Sequence, residues 1–381
     1  MYAESDFQPP PGNPTAALRV AYDAQALVSG DGGTGKGVQL RNLIGSSWAQ
    51  FQGYAPPPRN QKATAGIIQG GQRRYLIWQQ ASLPRLLKSF KPHVFLAPYN
   101  TAPLWLPRGT QLVLVLHDLI LMERFKASSA WKTMVNSYRR RLIPPSVARS
   151  SYVLTVSQFS RNWILEYFPG TRITVIPCTI AESWFVGEQA VSMQQRENYI
   201  LLVTADPAHK NTARAVRAYA SYVRMAGTGA ANLRIVGMAN AGESFRAMVH
   251  ALGLQQKVVI EPFVTATALQ LLYRRAKAVL VPSLLEGFGI PVLEGMASGT
   301  PVLASRSSSL CEVGSDAIEY FDPLDETSIA ASIFALNANP ALALERVSRG
   351  HQQALKFHPA IVRRQVDDFW GQVASEQAAR T

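Results

Sequence analysis

Acidic residues are scarce in the first half of this chain. Among residues 1–180, seven Asp and Glu stand against twenty Lys and Arg, while the remainder carries eighteen of each. The whole net charge of +13 over 381 residues therefore resides in the first half. Such one-sided basicity suits an anionic membrane face or a phosphate-bearing partner. A nucleic acid would also fit the charge, but no recognition motif of that type accompanies it. Cysteine is scarcer still: Cys178 and Cys311 lie far apart without metal-type spacing, which excludes a zinc framework and reads as two buried thiols in a reducing compartment. No apolar run reaches the roughly 18 residues that span a bilayer. The opening MYAESDFQPPPGNPTAALRV is acidic and proline-rich, unlike a signal peptide. Internal repeats and low-complexity tracts are absent as well. These exclusions predict a globular, cytoplasmic chain, peripheral on the inner face of a membrane.

The basic residues cluster at Arg73-Arg74, at Arg85, Lys88 and Lys91, and at Arg139-Arg140-Arg141. The last cluster closes RFKASSAWKTMVNSYRRRLI, where Phe125, Trp131, Val135, Tyr138 and Leu142 recur at helical spacing. That pattern reads either as a basic amphipathic helix for an anionic surface or as a solvated helix with ordinary core contacts.

Short aliphatic runs alternate with helical patterns along the whole chain. LRVAYDAQAL, HVFLAP, QLVLVLHD, SYVLTVS and RITVIPCTI read as buried strands of a first domain. NYILLVTA, ANLRIVGM, KVVIEPF, KAVLVPS, TPVLAS and AIEYF read as strands of a second. Strands apolar on both faces and separated by helices, some with caps such as Ser157 and Thr265, predict parallel α/β sheets. The expected architecture is two Rossmann-like, doubly wound domains over residues 1–185 and 186–355, with a cleft at the carboxyl ends of their strands. A closing helix over 356–381 is expected to pack back on the first domain.

Four stretches carry candidate chemistry. GDGGTGKG, residues 30–37, joins the first strand to the first helix, where glycines bring amides close to a phosphate or sugar oxygen. Val38 breaks the phosphate-loop pattern there, and the stretch also reads as a plain flexible turn. His117 and Asp118 follow an apolar strand, so His117 is a candidate hydrogen-bond or proton donor at the sheet edge, with a turn cap by Asp118 as the plainer reading. Lys210, in HKN, stands where a helix begins and is placed to neutralise a phosphate.

The fourth is VPSLLEGFGIPVLEGMASGTPVLAS, residues 281–305, with Glu286 and Glu294 eight positions apart in an apolar run. Gly287, Gly289 and Pro291 divide it, and Pro291 fits the first turn of a short helix. Glu294 is then expected in that first turn and Glu286 in the loop ahead. The amides of Phe288, Gly289 and Ile290 are expected to share their pocket. Two carboxylates suit sugar diols, and a helix N-terminus suits phosphate.

EGFGIPVLE resembles the E-x7-E motif of retaining GT-B glycosyltransferases of family GT4, with the familiar continuation MASGTPVLAS. GGTGKG, HD, VSQFSRN, VIP, KN, RIVG and the closing helix fall in that family's order over most of the chain. The resemblance implies a nucleotide-sugar donor held by the second domain, with Glu294 on the ribose, Lys210 on the diphosphate, and Glu286 with the amides of 288–290 beside the transferred sugar. It places His117 near that sugar and Gly33 with Gly35 near the diphosphate or acceptor. It calls for no metal and no cofactor. The acceptor it implies is a glycan or a polyprenyl-diphosphate-linked sugar, and a GDP-mannose or GDP-deoxyhexose donor precedes a UDP-sugar among the expectations.

One departure stands out. Where the family often has an arginine five residues before its lysine, this chain has Ala205, leaving His209, Arg214 or another basic side chain to compensate. A nucleotide-sugar-binding protein with weak or lost catalysis is therefore an alternative. Another GT-B enzyme, such as a sugar-nucleotide epimerase or a phosphorylase, is a further one.

Overall fold

The computed structural model describes residues 18–28, 35–57, 65–123, 130–185, 193–205, 207–238 and 242–380. Among these described residues thirteen strands form two wholly parallel sheets. The first joins β1 (Leu18–Asp23), β2 (Ala49–Ala55), β3 (Ile67–Gln69), β4 (Val94–Ala97), β5 (Gln111–Val115), β6 (Tyr152–Thr155) and β7 (Ile173–Val175) in the order β3-β2-β1-β4-β5-β6-β7. The second joins β8 (Glu197–Val203), β9 (Asn232–Val236), β10 (Val258–Glu261), β11 (Ala276–Val281), β12 (Val302–Ser305) and β13 (Glu319–Phe321) in the order β10-β9-β8-β11-β12-β13. Both sheets reverse their winding beside the first strand, the doubly wound pattern that leaves a functional edge at the strands' carboxyl ends.

The chain divides into two compact units, one running to Thr179 and resuming at Pro359, the other spanning Ile180–His358. In the first, alternate residues of β4 feed opposite cores. Val94 and Leu96 join the side that holds Val362 and Trp370, and Phe95 and Ala97 the side that holds Trp78, Leu83 and Ile164. The two-residue period of a strand buried on both faces makes this division. The helix Pro359–Ala378 closes the first of these cores: Trp370 Nε1 donates to the Leu43 carbonyl at 2.8 Å, and Phe369 meets Tyr152 edge-on at 5.7 Å. In the second unit Ile200, Leu202, Leu233, Ile235 and Leu280 line the core beneath the helices Thr212–Ala226 and Glu326–Ala338.

Several local expectations need correction. β2 and β3 escape a reading based on hydrophobicity: β3, at the sheet edge, is only three residues long, and β2 beside it interleaves glutamine and glycine with its apolar residues. β5 ends at Val115, two residues before His117. Cys311 is exposed rather than buried: in the short helix Leu310–Gly314 its neighbours Leu310 and Val313 take the core face. Cys178 is buried, which pushes its thiol up to about 12. The helix around the triple arginine is described from Ala130 and runs to Arg149 through Pro144 and Pro145, while Phe125 and the side chain of Trp131 lie outside the described residues. Its arginines are not a solvated row. Arg139 lies 5.1 Å over the Tyr75 ring, and Arg140 donates to the carbonyls of Leu121 and Glu123. Ser157 and Thr265 do cap their helices, accepting from Ser160 N and Ala268 N. Among the described residues no single helix is long and apolar enough to cross a membrane.

Candidate active site

Two loops meet at the carboxyl edge of the second sheet. After β8 the chain makes a single 3-10 turn, Ala208–Lys210, and passes Asn211 in the left-handed region (φ 57°) into the helix Thr212–Ala226. Asparagine tolerates that conformation, and here its side-chain amide donates to the carbonyls of Pro282 and Pro323. The turn is pinned to the other loop by Leu284 N, which donates to the His209 carbonyl at 2.7 Å. Lys210 Nζ thereby reaches Glu286 Oε1 at 2.6 Å. Their side chains are only 23% and 12% accessible, so the pair is shielded from water on most sides.

The loop carrying Glu286 is held by two adjacent serines. Glu286 N donates to Ser308 Oγ at 3.0 Å, and Ser309 Oγ lies 2.9 Å from the carbonyls of both Glu286 and Phe288, sharing its one proton between them. Phe288 is buried against Phe357, edge-on at 5.4 Å. Gly289 turns with φ 104°, and a side chain there would strike Leu310. The helix Ile290–Ala297 begins directly after it with no side-chain cap. Pro291 has no N–H and Val292 N already donates to the Gly289 carbonyl at 2.9 Å, so the donor capacity at this N-terminus falls to the amide of Ile290 and those just before it. Gly295 lets this helix lie against the sheet, since a Cβ there would sit 2.6 Å from Val302.

Glu294 is not in the first turn. The helix starts one residue earlier than Pro291, at Ile290, which moves Glu294 into the second turn. There its Oε2 accepts from the hydroxyl of fully buried Tyr273 at 2.6 Å. Burial pushes the Glu294 carboxyl up to about 7, against the opposing pull of the Tyr273 hydroxyl. A carboxyl so placed passes between its protonated and ionised forms near neutral pH.

The residues considered as substitutes for a second cation differ in what they offer. His209 is held below its usual range by burial first and by the Lys210 ammonium second, which favours a neutral ring at pH 7. Arg214 is cationic, and its Nη1 is committed to Asn211 Oδ1 at 3.0 Å and to the Pro323 carbonyl. Thr204 and Thr212 pair their hydroxyls at 2.9 Å beside Ala205. Gly237, at φ 98°, lets β9 end against the Thr204 carbonyl, 2.3 Å from where a Cβ would stand.

In the first unit, His117 is buried at the carboxyl edge of its sheet. Its amide donates to Asn100 Oδ1, its carbonyl accepts from Ser160, and its Nε2 is 2.9 Å from the Pro98 carbonyl. A carbonyl only accepts, so Nε2 carries the proton and Nδ1 is the basic nitrogen of the neutral ring. Asp118 serves the turn that follows, its Oδ1 accepting from Ile120 N at 3.0 Å. Gly35 opens the helix Gly35–Leu43, and Gly33 lies outside the described residues. A carboxyl that no motif singled out, Asp23, ends β1 beneath Trp78 Nε1 and the amide of Gln25. Burial pushes it up to about 7. Tyr273, Ser308 and Ser309 also escaped the sequence reading, because each acts through a partner more than twenty residues away. Among the described residues no group of three or more His, Cys, Asp or Glu is placed to hold a metal ion.

Comparison with known proteins places these residues in context. The family described as "Glycosyl transferases group 1" matches residues 188–353, and "Glycosyltransferase Family 4" matches residues 51–183. The O-antigen chain mannosyltransferase RfbU of Salmonella typhimurium is 34% identical over 199 residues, which cover 51% of this chain and 54% of that protein. The O-antigen chain mannosyltransferase B of Escherichia coli is 26% identical over 282 residues, covering 71% of this chain and 72% of its own. The chain thus spans about half the length of the first of these relatives. Among solved structures, sucrose-phosphate synthase from Thermosynechococcus elongatus superposes with a TM-score of 0.72 at 18% identity, covering 94% of this chain and all of that one. At that identity the likeness speaks for the fold.

Proposed function

The chain belongs to the GT4-like glycosyltransferases of GT-B fold, and on that premise we propose that it moves a hexosyl group from a nucleotide sugar to a glycan or polyprenyl-diphosphate-linked acceptor in cell-envelope polysaccharide synthesis, with retention of configuration. The observation that carries this reading is the joining of Lys210 and Glu286 at the mouth of an uncapped helix N-terminus, with Glu294 one turn inside. An ammonium and the amides that lead into the helix suit a departing diphosphate, and the two carboxylates suit sugar hydroxyls. Glu294 would hold the ribose, Lys210 the diphosphate, and Glu286 with the amides of Phe288, Gly289 and Ile290 the transferred sugar. His117 would act from the first unit through its basic Nδ1, on a hydroxyl of the donor sugar or the acceptor.

The steps assigned to the chain's own groups are few. The bond from the anomeric carbon to the diphosphate oxygen breaks, and that oxygen's growing charge falls on Lys210 and the helix amides. The acceptor hydroxyl enters on the same face, its proton passing to the departing phosphate oxygen. No metal and no cofactor are required by this scheme. Two mannosyltransferases among the relatives favour a mannosyl donor, with GDP-mannose or a GDP-deoxyhexose ahead of UDP-sugars. The basic first unit favours an acceptor presented at an anionic membrane on its cytoplasmic side.

The alternative of a donor-binding protein with weak catalysis draws on Ala205 and on the neutral state favoured for His209. One experiment separates the two. The parent and Glu286→Ala are offered a panel of GDP- and UDP-sugars, with thermal shift for binding and release of the nucleoside diphosphate for turnover. Binding with turnover that Glu286→Ala abolishes supports the transferase. Binding without turnover in the parent supports the alternative, and neither binding nor turnover across the panel refutes both.

A further inference from the structure

From Gly32 to His117 the sequence has ten Lys and Arg and no Asp or Glu. Within the described part of this acid-free stretch six large apolar side chains of the first unit stand in water; besides Trp48 and Ile68 they are two adjacent pairs, Leu76 with Ile77 and Leu104 with Trp105, each side chain of the pairs between 37% and 43% exposed. The two pairs share one surface. Trp105 Nε1 donates to the Gln80 carbonyl at 3.1 Å and Leu104 N to Gln80 Oε1 at 2.8 Å, one turn beyond Leu76 and Ile77.

The exposure of Leu76 is built into the backbone. The helical stretch Tyr75–Phe90 contains a π-helical turn, Trp78–Ser82. In an unbroken α-helix, at about 100° per residue, Leu76 would point within about 20° of Leu83 seven positions later. The additional residue in the π turn throws this phase off by about 100° and carries Leu76 away from the face that Leu83 and Leu87 bury. Trp78 and Gln79 turn inward instead, Trp78 toward the Asp23 carboxyl and Gln79 onto Thr101. Such turns are rare and recur at functional positions.

The charge around the ridge has one sign. Arg74, Arg85, Lys88 and Arg108 are exposed, and Lys88 Nζ stands 5.8 Å over the Trp105 ring. The triple arginine is a weaker candidate for this surface, since Arg139 and Arg140 are engaged within the fold.

We propose that this ridge docks the protein on an anionic lipid bilayer, with Trp105, Leu104, Leu76 and Ile77 at the boundary of headgroups and acyl chains and the surrounding cations on lipid phosphates. Tryptophan favours that boundary, and apolar contact with basic flanks is the composition of an interfacial anchor. A nucleic acid or acidic protein would use the cations but would leave three exposed aliphatic side chains without a role. The inference deepens the reading of a membrane-presented acceptor and rests on it only for its purpose.

The test uses the full chain, sedimented with vesicles of phosphatidylcholine alone or with phosphatidylglycerol added. Parent protein binds the anionic vesicles, less so in high salt. Leu104→Ser with Trp105→Ser weakens that binding about tenfold or more, and Leu76→Ser with Ile77→Ser does the same by a separate route. Both variants keep the parent's thermal midpoint and its donor turnover, because none of these side chains belongs to the candidate site. Absence of binding to anionic vesicles overturns the proposal, as does undiminished binding by both double variants. Binding to heparin but not to vesicles overturns it in favour of a polyanion site. Donor turnover without vesicle binding refutes the docking alone and leaves the transferase reading standing.

Discussion

Lys210 Nζ and Glu286 Oε1 lie 2.6 Å apart although 76 residues separate them in the chain. Two motifs that look unrelated along the sequence are one ion pair in the fold. Each neutralises the other, so under the proposed function an arriving diphosphate would compete with Glu286 for the ammonium.

That competition has a sign. Lys210→Ala is expected to weaken nucleoside-diphosphate binding and to lower kcat by about 10²–10³, the scale for losing one preorganised charge on a leaving group. Glu286→Ala is expected to hold the nucleoside diphosphate as tightly as the parent or more tightly, while turnover collapses. Calorimetry with GDP and UDP checks the first quantity and product release the second. Equal loss of diphosphate affinity in both variants would contradict the competition. In a double-mutant cycle the two effects should fall short of additivity, as expected for groups in contact.

Glu294 gives a pH signature. Its carboxyl sits near 7 in the folded chain against 4.5 ordinarily, so between those values the folded state holds a proton that the unfolded state has lost. Stability therefore falls as pH rises through that window and levels off above about 7. Asp23, also near 7, adds a slope of the same sign. Glu294→Gln should flatten the dependence in part, and adding Asp23→Asn should remove most of the rest, read by thermal midpoints from pH 4 to 8. Because hydroxyls of a bound donor favour the ionised carboxyl, donor affinity should rise from pH 6 to 8 in the parent and stay level in Glu294→Gln. Tyr273→Phe removes the hydroxyl that opposes protonation and should move the window upward.

Gly237 tests the backbone under the site. At φ 98°, with Thr204's carbonyl 2.3 Å from a built Cβ, it has room for no side chain. Gly237→Ala is expected to cost about 3 kcal/mol or more, several degrees of thermal midpoint. Gly229→Ala, which meets nothing within 4 Å, is the neutral control.

Trp370 tests the closing helix. Fully buried, and bonded to the Leu43 carbonyl, it plugs the core of the first unit. Trp370→Ala should cost about 3–5 kcal/mol, and Trp370→Phe less, by the lost hydrogen bond and a smaller void. Denaturant unfolding followed by circular dichroism measures both, and an unchanged midpoint for Trp370→Ala would refute the plug.

Much of this molecule was legible in one dimension. β4 and β6 throughout, and β1, β8 and β11 over most of their length, are apolar because parallel strands buried on both faces have little polar side to show. Ser157 and Thr265 announced their helices because a cap acts within three residues. The break between Glu286 and Glu294 was written in Gly289 and Pro291, whose backbone limits are local. The strands β2 and β3 at one end of the first sheet, the π turn at Trp78–Ser82 and the exposure of Cys311 were not, since each depends on which neighbour lies across a face. Sequence alone determined the doubly wound fold and the residue types of the site, because backbone preference and hydrophobic period act over a few residues. Tertiary structure alone decided that Lys210 answers Glu286 and that Glu294 sits near neutrality under Tyr273, because charge and desolvation act through space between loops that the chain keeps far apart.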